Sequence, residues 1–311
     1  MKESAITDLV DGVVSGDRKA VAQAITLVES KKASDVVLSE KLLESILTAA
    51  GSSIRIGISG SPGVGKSTFI ESIGQLMVKN GNKLAVLAVD PSSSISGGSI
   101  LGDKTRMEYL SRDEQVFIRP SPSGKNLGGV NRSTRESIAI VEAAGFNVIM
   151  VETVGVGQSQ TEVFDMTDIF VVLLSPGGGD QLQGIKRGII ELADIVVVNK
   201  SDGDLKSSSR NTVLDYKNAL KLLKPRTKDW PVPVIACSSL EKTGIDECWE
   251  SIQNFHEFIS TCGLLERNRS KQQEKWLLEE TKQGLLDALE KNEDIQNKLR
   301  NIQANITEDK R

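Results

Sequence analysis

A glycine-rich stretch between a β-type run and a helical pattern most constrains how this chain can fold. Residues 54–59 are rich in isoleucine, and residues 68–78 have apolar side chains at helical spacing. Between them stand Gly60, Ser61, Pro62, Gly63, Val64, Gly65, Lys66 and Ser67, and Thr68 opens the helical stretch. Strand, loop and helix in this order predict a P-loop, whose backbone N–H groups hold phosphate oxygens while the lysine adds positive charge. We therefore expect these residues to bind a nucleoside triphosphate.

Six further β-type runs alternate with helical patterns along the chain. They cover residues 84–89, 116–119, 148–151, 169–174, 195–198 and 232–236. Several of them are apolar without alternation, which is typical of parallel strands that are covered on both faces. We therefore predict an α/β fold of the P-loop NTPase class, with a doubly wound, mainly parallel sheet within residues 51–262.

Helical patterns flank this region on both sides. Apolar residues recur at helical spacing between residues 6 and 47, so residues 1–50 are predicted to form a helical N-terminal region. A heptad pattern with Asn292 at an a position predicts a helical C-terminal arm over residues 263–311. Its apolar a and d positions are Leu278, Leu285, Leu299, Ile306, Ala288, Ile295 and Ile302. The pattern leaves two arrangements open: an arm folded back on its own chain, or an arm that pairs with a second copy in a homodimer.

Composition excludes several classes of function. The 38 Lys and Arg residues are outnumbered by 42 Asp and Glu, and a net charge of −4 gives no electrostatic footprint for nucleic acid. One histidine and three cysteines, with no Cys-x-x-Cys pair, argue against a histidine-rich metal site. No apolar run approaches the roughly 18 residues that span a membrane, and the acidic first residues lack a signal core. The sequence thus predicts a cytoplasmic protein that uses carboxylates, lysine, hydroxyls and backbone groups.

A second motif follows the apolar run 195–198, at a strand end where open α/β sheets bind ligands. It consists of Asn199, Lys200, Ser201 and Asp202. This motif resembles the Asn-Lys-x-Asp of G proteins, whose aspartate accepts hydrogen bonds from guanine N1–H and the 2-amino group. The resemblance implies that Asp202 selects GTP over ATP, because adenine presents no such donor pair. The segment after run 232–236 resembles the loop that meets guanine O6, and its residues are Ser238, Ser239 and Leu240. Ser239 stands where that loop usually has alanine.

Three carboxylates near predicted strand ends are candidate ligands for Mg²⁺. They are Asp90 after run 84–89, Asp103 in a Gly-Asp-Lys-Thr-Arg segment, and Glu152 after run 148–151. Mg²⁺ takes few carboxylates and keeps several waters, and we expect the Ser67 hydroxyl to complete the set. The segment from Glu152 to Gly155 resembles the switch motif Asp-x-x-Gly of G proteins, which senses the γ-phosphate.

The position after Gly155 bears on the rate of hydrolysis. Many small G proteins have a water-orienting glutamine there, but this chain has Val156, with Gln158 two residues further. We expect either that Gln158 reaches the water by another path or that hydrolysis is slow until a partner contributes a group. A group supplied by a partner is worth about 10³ to 10⁵ in rate. The candidate catalytic residues are Lys66, Glu152, Gln158 and Lys186.

Longer blocks of sequence go beyond a generic G domain. They cover residues 89–93, 97–107, 118–124, 151–159 and 179–186, and they closely resemble the MeaB/ArgK-type family, the G-protein chaperones of methylmalonyl-CoA mutase. The resemblance runs over residues 54–256. It implies a GTPase that gates the loading of adenosylcobalamin into methylmalonyl-CoA mutase, or a related cobalamin-dependent acyl-CoA mutase, and protects that enzyme. No cobalamin site of its own is expected, because His256 does not fit the Asp-x-His-x-x-Gly pattern.

Three other functions compete with this one. An ATP-dependent kinase of an amino-acid transport system is disfavoured by the guanine motif that ends at Asp202. A nickel-inserting GTPase would be expected to have a store of histidine or cysteine, which this composition lacks. A nucleotide-gated scaffold without significant hydrolysis stays open because of Val156. Turnover stimulated by a mutase would separate the scaffold from the enzyme.

Overall fold

The computed structural model describes residues 3–30, 32–47, 51, 53–90, 107–122, 127–153, 159–177, 187–292, 295 and 297–298. The strands are β1 (Ile54–Gly60), β2 (Leu84–Asp90), β3 (Val116–Pro122), β4 (Val148–Thr153), β5 (Ile169–Leu174), β6 (Ile195–Val198) and β7 (Val234–Ala236). The helices are α1 (Glu3–Val14), α2 (Arg18–Glu29), α3 (Ala33–Ile46), α4 (Lys66–Lys79), α5 (Glu108–Arg112), α6 (Leu127–Ala143), α7 (Ser159–Phe164), α8 (Arg187–Ile190), α9 (Lys206–Lys221), α10 (Ile245–Thr261) and α11 (Leu264–Lys291). The chain divides into two compact units, Met1–Ile259 and Ser260–Arg311.

The seven strands form one parallel sheet in the order β3-β2-β4-β1-β5-β6-β7. Every residue of β4, β5 and β6 is buried, because helices cover both faces of the sheet. The predicted α/β fold with a doubly wound, parallel sheet is confirmed. β1 lies at the centre, and the chain leads away from it to both sides. Ligands of such sheets bind at the carboxyl ends of the strands, next to the point of reversal.

Proline explains how two strands differ from their predicted limits. β7 begins at Val234 and not at residue 232, because Pro233 has no N–H to donate to a neighbouring strand. β3 continues past its predicted end at residue 119 through Pro120 to Pro122. It pairs with β2 only, and an edge strand tolerates proline.

The three N-terminal helices share the hydrophobic core that covers one face of the sheet. Their buried residues form one cluster with α6 and the strands, and the main members from these helices are Val13, Val21, Ile25, Leu42 and Ile46. Arg119 of β3 forms an ion pair with Glu29 of α2. Gly12 lets α1 and α2 approach closely, since a Cβ there would lie 2.6 Å from the Cβ of Ala20. These helices are therefore a layer of the unit Met1–Ile259.

None of the helices in the described part of the chain combines the length and the apolar character that crossing a membrane requires. α11 has 28 residues, and several of its leucines are exposed: Leu277, Leu278, Leu285, Leu286 and Leu289. Charged residues lie among them, as in the sequence Glu-Glu-Thr-Lys at 279–282.

A buried ion pair fixes the amino end of β6. The Asp194 side chain is 1% exposed, and its Oδ2 accepts hydrogen bonds from the backbone N–H of Phe170 and from Arg226 Nη1, each at 2.9 Å. The Arg226 guanidinium also lies over the ring of Phe164, 4.1 Å from its centroid. Burial raises the pKa of Asp194 to about 6, although Arg226 acts in the opposite direction. The carboxyl group therefore binds its proton more tightly in the folded protein than in the unfolded chain.

This raised pKa predicts how the free energy of unfolding depends on pH. Between about pH 4 and pH 6 the folded state binds more protons at Asp194 than the unfolded state, so this contribution to stability falls as pH rises. Across that window the unfolding free energy of the wild type should fall by about 1–3 kcal/mol relative to Asp194→Asn, measured by urea unfolding. Arg226 stays charged throughout, so its lost partner in the variant adds a constant offset.

The exposed Asp215 provides the matched control for this experiment. Asp215→Asn should follow the wild type at every pH, because it makes the same substitution at an exposed position outside the buried ion pair. If Asp194→Asn and the wild type change in parallel between pH 4 and pH 6, the raised pKa is refuted.

Candidate functional site

The P-loop connects β1 directly to α4, and its glycines are needed for its shape. Gly60 and Gly65 have φ of 156° and 93°, in the region that favours glycine. Space is also limited at both positions. A Cβ at Gly60 would lie 2.6 Å from the carbonyl oxygen of Leu173, and one at Gly65 would lie 2.7 Å from Asn199 Nδ2. The glycine pattern of the sequence therefore reflects both backbone conformation and close packing.

Lys66 places a positive charge inside this loop. The residue is 7% exposed, and its Nζ donates to the carbonyl oxygens of Gly60 at 2.9 Å and Ser61 at 3.3 Å. Burial lowers the pKa of Lys66, while the carboxylate of Glu152 acts in the opposite direction. An ammonium group at this point of a P-loop is a counter-charge for phosphate oxygens.

Two of the four candidate metal ligands are brought together beside Lys66. Ser67 Oγ lies 3.2 Å from Glu152 Oε1, across the start of α4 and the end of β4. A hydroxyl and a carboxylate at this spacing fit Mg²⁺, which binds hard oxygen ligands. Asp90 is the last residue of β2, which pairs with β4, but its side chain and all of Asp103 lie outside the described residues. In the described part of the chain, no group of three His, Cys, Asp or Glu could hold a metal.

Asn199 joins the P-loop to the loop that follows β7. It directly follows β6 and is 1% exposed. Its Nδ2 donates to the carbonyl oxygens of Val64 at 3.0 Å and Gly65 at 3.4 Å. Its Oδ1 accepts hydrogen bonds from Ser239, at 3.2 Å from the backbone nitrogen and at 2.8 Å from Oγ. Both ends of the carboxamide are thus satisfied, and the Ser239 hydroxyl supplies one of the contacts.

Asp202 lies at the same end of the sheet and is partly buried. Its Oδ2 accepts a hydrogen bond from Ser238 Oγ. Two backbone hydrogen bonds hold the neighbouring loops together: Cys237 N–H donates to Val198 O at 2.8 Å, and Ser201 N–H donates to Cys237 O at 3.0 Å. The segment 199–202 and the loop after β7, which the sequence analysis linked to the base, are therefore hydrogen-bonded to each other. The carboxylate of Asp202 lies where they meet.

The remaining predicted site residues differ in how the structure places them. Lys200 has φ of 59°, and its Cε would lie 3.9 Å from a Cβ at Gly65, so it runs along the P-loop. Leu240 is 79% exposed, and Pro62 and Thr68 are exposed as well. The predicted residues that lie outside the described part of the chain are Gly155, Gln158 and Lys186.

Two residues of α4 that sequence reasoning missed hold neighbouring segments in place. Ser72 Oγ donates to the carbonyl oxygen of Ser239 at 2.6 Å, in a buried contact. Glu71 Oε1 accepts from the backbone N–H groups of Tyr109 at 2.9 Å and Leu110 at 3.2 Å, at the start of α5. The buried position of Ser72 could have been predicted from the sequence, since it is a small polar residue on the otherwise apolar face of a helix. Nothing in the sequence indicates the contact of Glu71 with the start of α5.

Known proteins match this chain along almost its whole length. The family model described as "Methylmalonyl Co-A mutase-associated GTPase MeaB" matches residues 21–294. GTPase ArgK of Escherichia coli strain K12 is 46% identical over 295 residues, which are 95% of this chain and 89% of that protein. The mitochondrial methylmalonic aciduria type A homolog of Mus musculus is 46% identical over 297 residues, which are 92% of this chain and 72% of the mouse protein.

A solved structure extends the similarity to three dimensions. The crystal structure described as "LAO/AO transport system kinase" has 38% sequence identity to this chain and a TM-score of 0.80. The match covers 99% of this chain and 94% of that chain. The two chains therefore share one fold over almost their whole lengths.

The contact of Ser72 generates a prediction for stability. Ser72→Ala leaves the buried carbonyl of Ser239 without its donor, so the free energy of unfolding should fall by about 1–3 kcal/mol in urea unfolding. Ser45→Ala is the matched control, because the Ser45 hydroxyl also donates to a backbone carbonyl, that of Lys41, but in an exposed position where water can replace it. Equal losses of unfolding free energy in the two variants would show that the buried contact stabilises the fold no more than the exposed one.

Proposed function

This chain belongs to the MeaB family of methylmalonyl-CoA mutase-associated GTPases, and from this premise we propose that it binds GTP with Mg²⁺ and hydrolyses it to GDP and phosphate. We propose further that this cycle gates the loading of adenosylcobalamin into methylmalonyl-CoA mutase, or a related acyl-CoA mutase, and protects that enzyme. The observation that best supports nucleotide binding is the set of hydrogen bonds by which Asn199 joins the P-loop to the loop after β7.

Selection of guanine is assigned to Asp202. A carboxylate accepts two hydrogen bonds at once, which suits the N1–H and 2-amino donors of guanine. The contact with Ser238 Oγ supports this role, because it orients the carboxylate while leaving it partly accessible. The backbone at Ser239 and Leu240 would meet the O6 side of the base, and Lys200 would lie along the nucleotide.

Binding of the phosphates is assigned to the P-loop and the start of α4. Backbone N–H groups from Gly60 to Thr68 would hold the phosphate oxygens, with the Lys66 ammonium as counter-charge. The Ser67 hydroxyl and the Glu152 carboxylate would hold Mg²⁺, together with carboxylates from the segments of Asp90 and Asp103. When bound, Mg²⁺ neutralises charge on the β- and γ-phosphate oxygens. Glu152 stands three residues before Gly155, where the γ-phosphate would be sensed.

Hydrolysis by the chain alone is proposed to be slow. Val156 cannot orient a water molecule through a hydrogen bond, and Gln158 would have to reach the water from two residues further on. Lys186 is a candidate for stabilising charge on the transferring phosphoryl group. A mutase that contributes a group to the site would raise the rate, which is the behaviour of a timer and not of a metabolic kinase.

The cobalamin is proposed to be held by the client enzyme. His256 is the one histidine of the chain, and it lies on α10, where Asn254 and Ile259 occupy the positions that an Asp-x-His-x-x-Gly pattern gives to Asp and Gly. GTP and its hydrolysis would instead change the surface that this chain offers to the mutase. Segments that order around a γ-phosphate and relax on hydrolysis are a common means of doing so.

The C-terminal arm over residues 263–311 is proposed to pair with the arm of a second copy in a homodimer. The a positions Leu278 and Leu285 are 55% and 62% exposed, and Leu286 and Leu289 beside them are exposed too. Such a stripe of leucines on a helix is suited to packing against another helix. Analytical ultracentrifugation of the purified chain should give the mass of a dimer, and a monomer at micromolar concentration would exclude this pairing.

The role of Asp202 predicts a change in nucleotide preference. Asp202→Asn should weaken GTP binding by about 10- to 100-fold, because a charged acceptor of two hydrogen bonds is lost, with little effect on ATP. The exposed Asp204, two residues further, gives the control Asp204→Asn, which should bind GTP like the wild type. Isothermal titration of both nucleotides measures the affinities. Equal affinity of the wild type for ATP and GTP would favour the transport-kinase alternative.

The proposed partner predicts the kinetics. GTP hydrolysis by the purified chain should be slow, Mg²⁺-dependent and faster than ATP hydrolysis, and it should rise on addition of methylmalonyl-CoA mutase, because the mutase supplies or orders the missing group. Phosphate release measures the rate. No effect of the mutase on rate or nucleotide affinity would remove that client. GTP binding without measurable hydrolysis in either condition would favour the nucleotide-gated scaffold.

A further inference from the structure

A cavity of about 350 Å³ lies near the amino-terminal ends of β6 and β7, at the opposite end of the strands from the P-loop. It is bounded by α8, by the end of α9, and by residues 222–233, which lead to the amino end of β7. The P-loop and Asn199 lie at the carboxyl ends of their strands. The cavity is therefore separated from the proposed nucleotide site by the length of β6. Its volume is at the lower end of the range of small-molecule pockets, about 300–1,000 Å³.

The interior of the cavity is apolar and is held by fixed contacts. Its walls include Ile190, Leu220, Leu223 and Trp230. The Trp230 indole N–H donates to the carbonyl oxygen of Asp194 at 3.0 Å, and its ring centroid lies 4.9 Å from that of Phe255. Because the indole N–H and the indole ring both have partners, the Trp230 side chain that lines the cavity is held in place.

The rim of the cavity is positively charged. Lys217, Lys221 and Lys224 line it, at spacings of four and three residues that place them on one side of the end of α9. Arg226 also lines it, but its charge is paired with Asp194. Glu191 is the acidic residue among those that line the cavity. Lysines in the last turn of a helix also complement the helix dipole, but Lys224 lies beyond the end of α9.

We propose that this cavity binds a small organic anion, with a flat apolar body seated against Trp230 and a phosphate, sulfonate or carboxylate group at the lysine rim. The size, the apolar walls and the excess of positive charge at the mouth are the features that this class of ligand requires. The proposal is independent of the function assigned to the P-loop. It would give the chain a second ligand site, remote from the nucleotide.

Two fluorescent probes that share one aromatic body test the proposal. The anionic probe is 1-anilinonaphthalene-8-sulfonate, and the uncharged probe is N-phenyl-1-naphthylamine. The full chain should bind the sulfonate at least about tenfold more tightly than the amine, because charge complementarity adds to the shared apolar contact. Excitation of tryptophan should give sensitised emission from the bound sulfonate, since Trp230 forms a wall of the cavity.

Matched variants locate the binding. The double variant Lys217→Glu with Lys221→Glu should lose at least about tenfold in affinity for the sulfonate and keep its affinity for the amine. The control is Lys19→Glu with Lys79→Glu, which makes the same charge change at exposed positions outside the cavity. Trp230→Phe should lower the ratio of sensitised to directly excited emission, because it removes the tryptophan that lines the cavity. Circular dichroism and thermal unfolding confirm that each variant is folded.

Three results would overturn the proposal. Equal affinity of the wild type for the two probes would remove the role of charge. Equal loss of affinity in the two lysine double variants would show that only the net charge of the protein matters. Unchanged sensitised emission in Trp230→Phe would place the probe near another tryptophan. A variant that fills the cavity, Val232→Phe, gives a further readout, and it should weaken both probes because it removes space that their shared body needs.

Discussion

The carboxamide of Asn199 sets the position of the P-loop relative to the loop after β7. β1 and β7 are separated by two strands in the sheet, so the loops at their ends are not neighbours through strand pairing. Asn199 stands between them at the end of β6, with its donor on one loop and its acceptor on the other. Because the carboxamide is buried, breaking either side would leave a polar group without a partner, at a cost of about 1–3 kcal/mol. The P-loop and the loop after β7 are thus fixed relative to each other.

Helix α4 extends this coupling to a third segment. Its first residues belong to the P-loop, and one turn later Ser72 holds the loop after β7 through the carbonyl of Ser239. Glu71, the residue before it, holds the start of α5, which follows the segment that contains Asp103. α4 therefore carries contacts to the loop after β7 and to the start of α5, and its own first residues belong to the P-loop.

Features written in consecutive residues could be predicted from the sequence, and features that join distant residues could not. The P-loop, the Asn-Lys-x-Asp motif and the apolar strands were recognisable because each depends on local spacing. The strand order, the contact between Ser72 and Ser239, and the ion pair of Asp194 with Arg226 depend on how the chain packs, and nothing in the spacing encodes them. The limits of β3 and β7 were predictable only in part. Prolines lie near both limits, but β7 begins after Pro233 whereas β3, an edge strand, continues through Pro120 to Pro122.

The same prolines limit the pairing of the two edge strands with strands of other proteins. An edge strand with free N–H groups recruits strands from other chains and is a common origin of aggregation. Here Pro120 and Pro122 remove two such donors from β3, and β7 at the other edge has only three residues, directly preceded by Pro233. Neither border of the sheet offers a long template for strand addition. Recognition of other proteins is thereby left to helix faces and loops, which can separate again without unpairing a sheet.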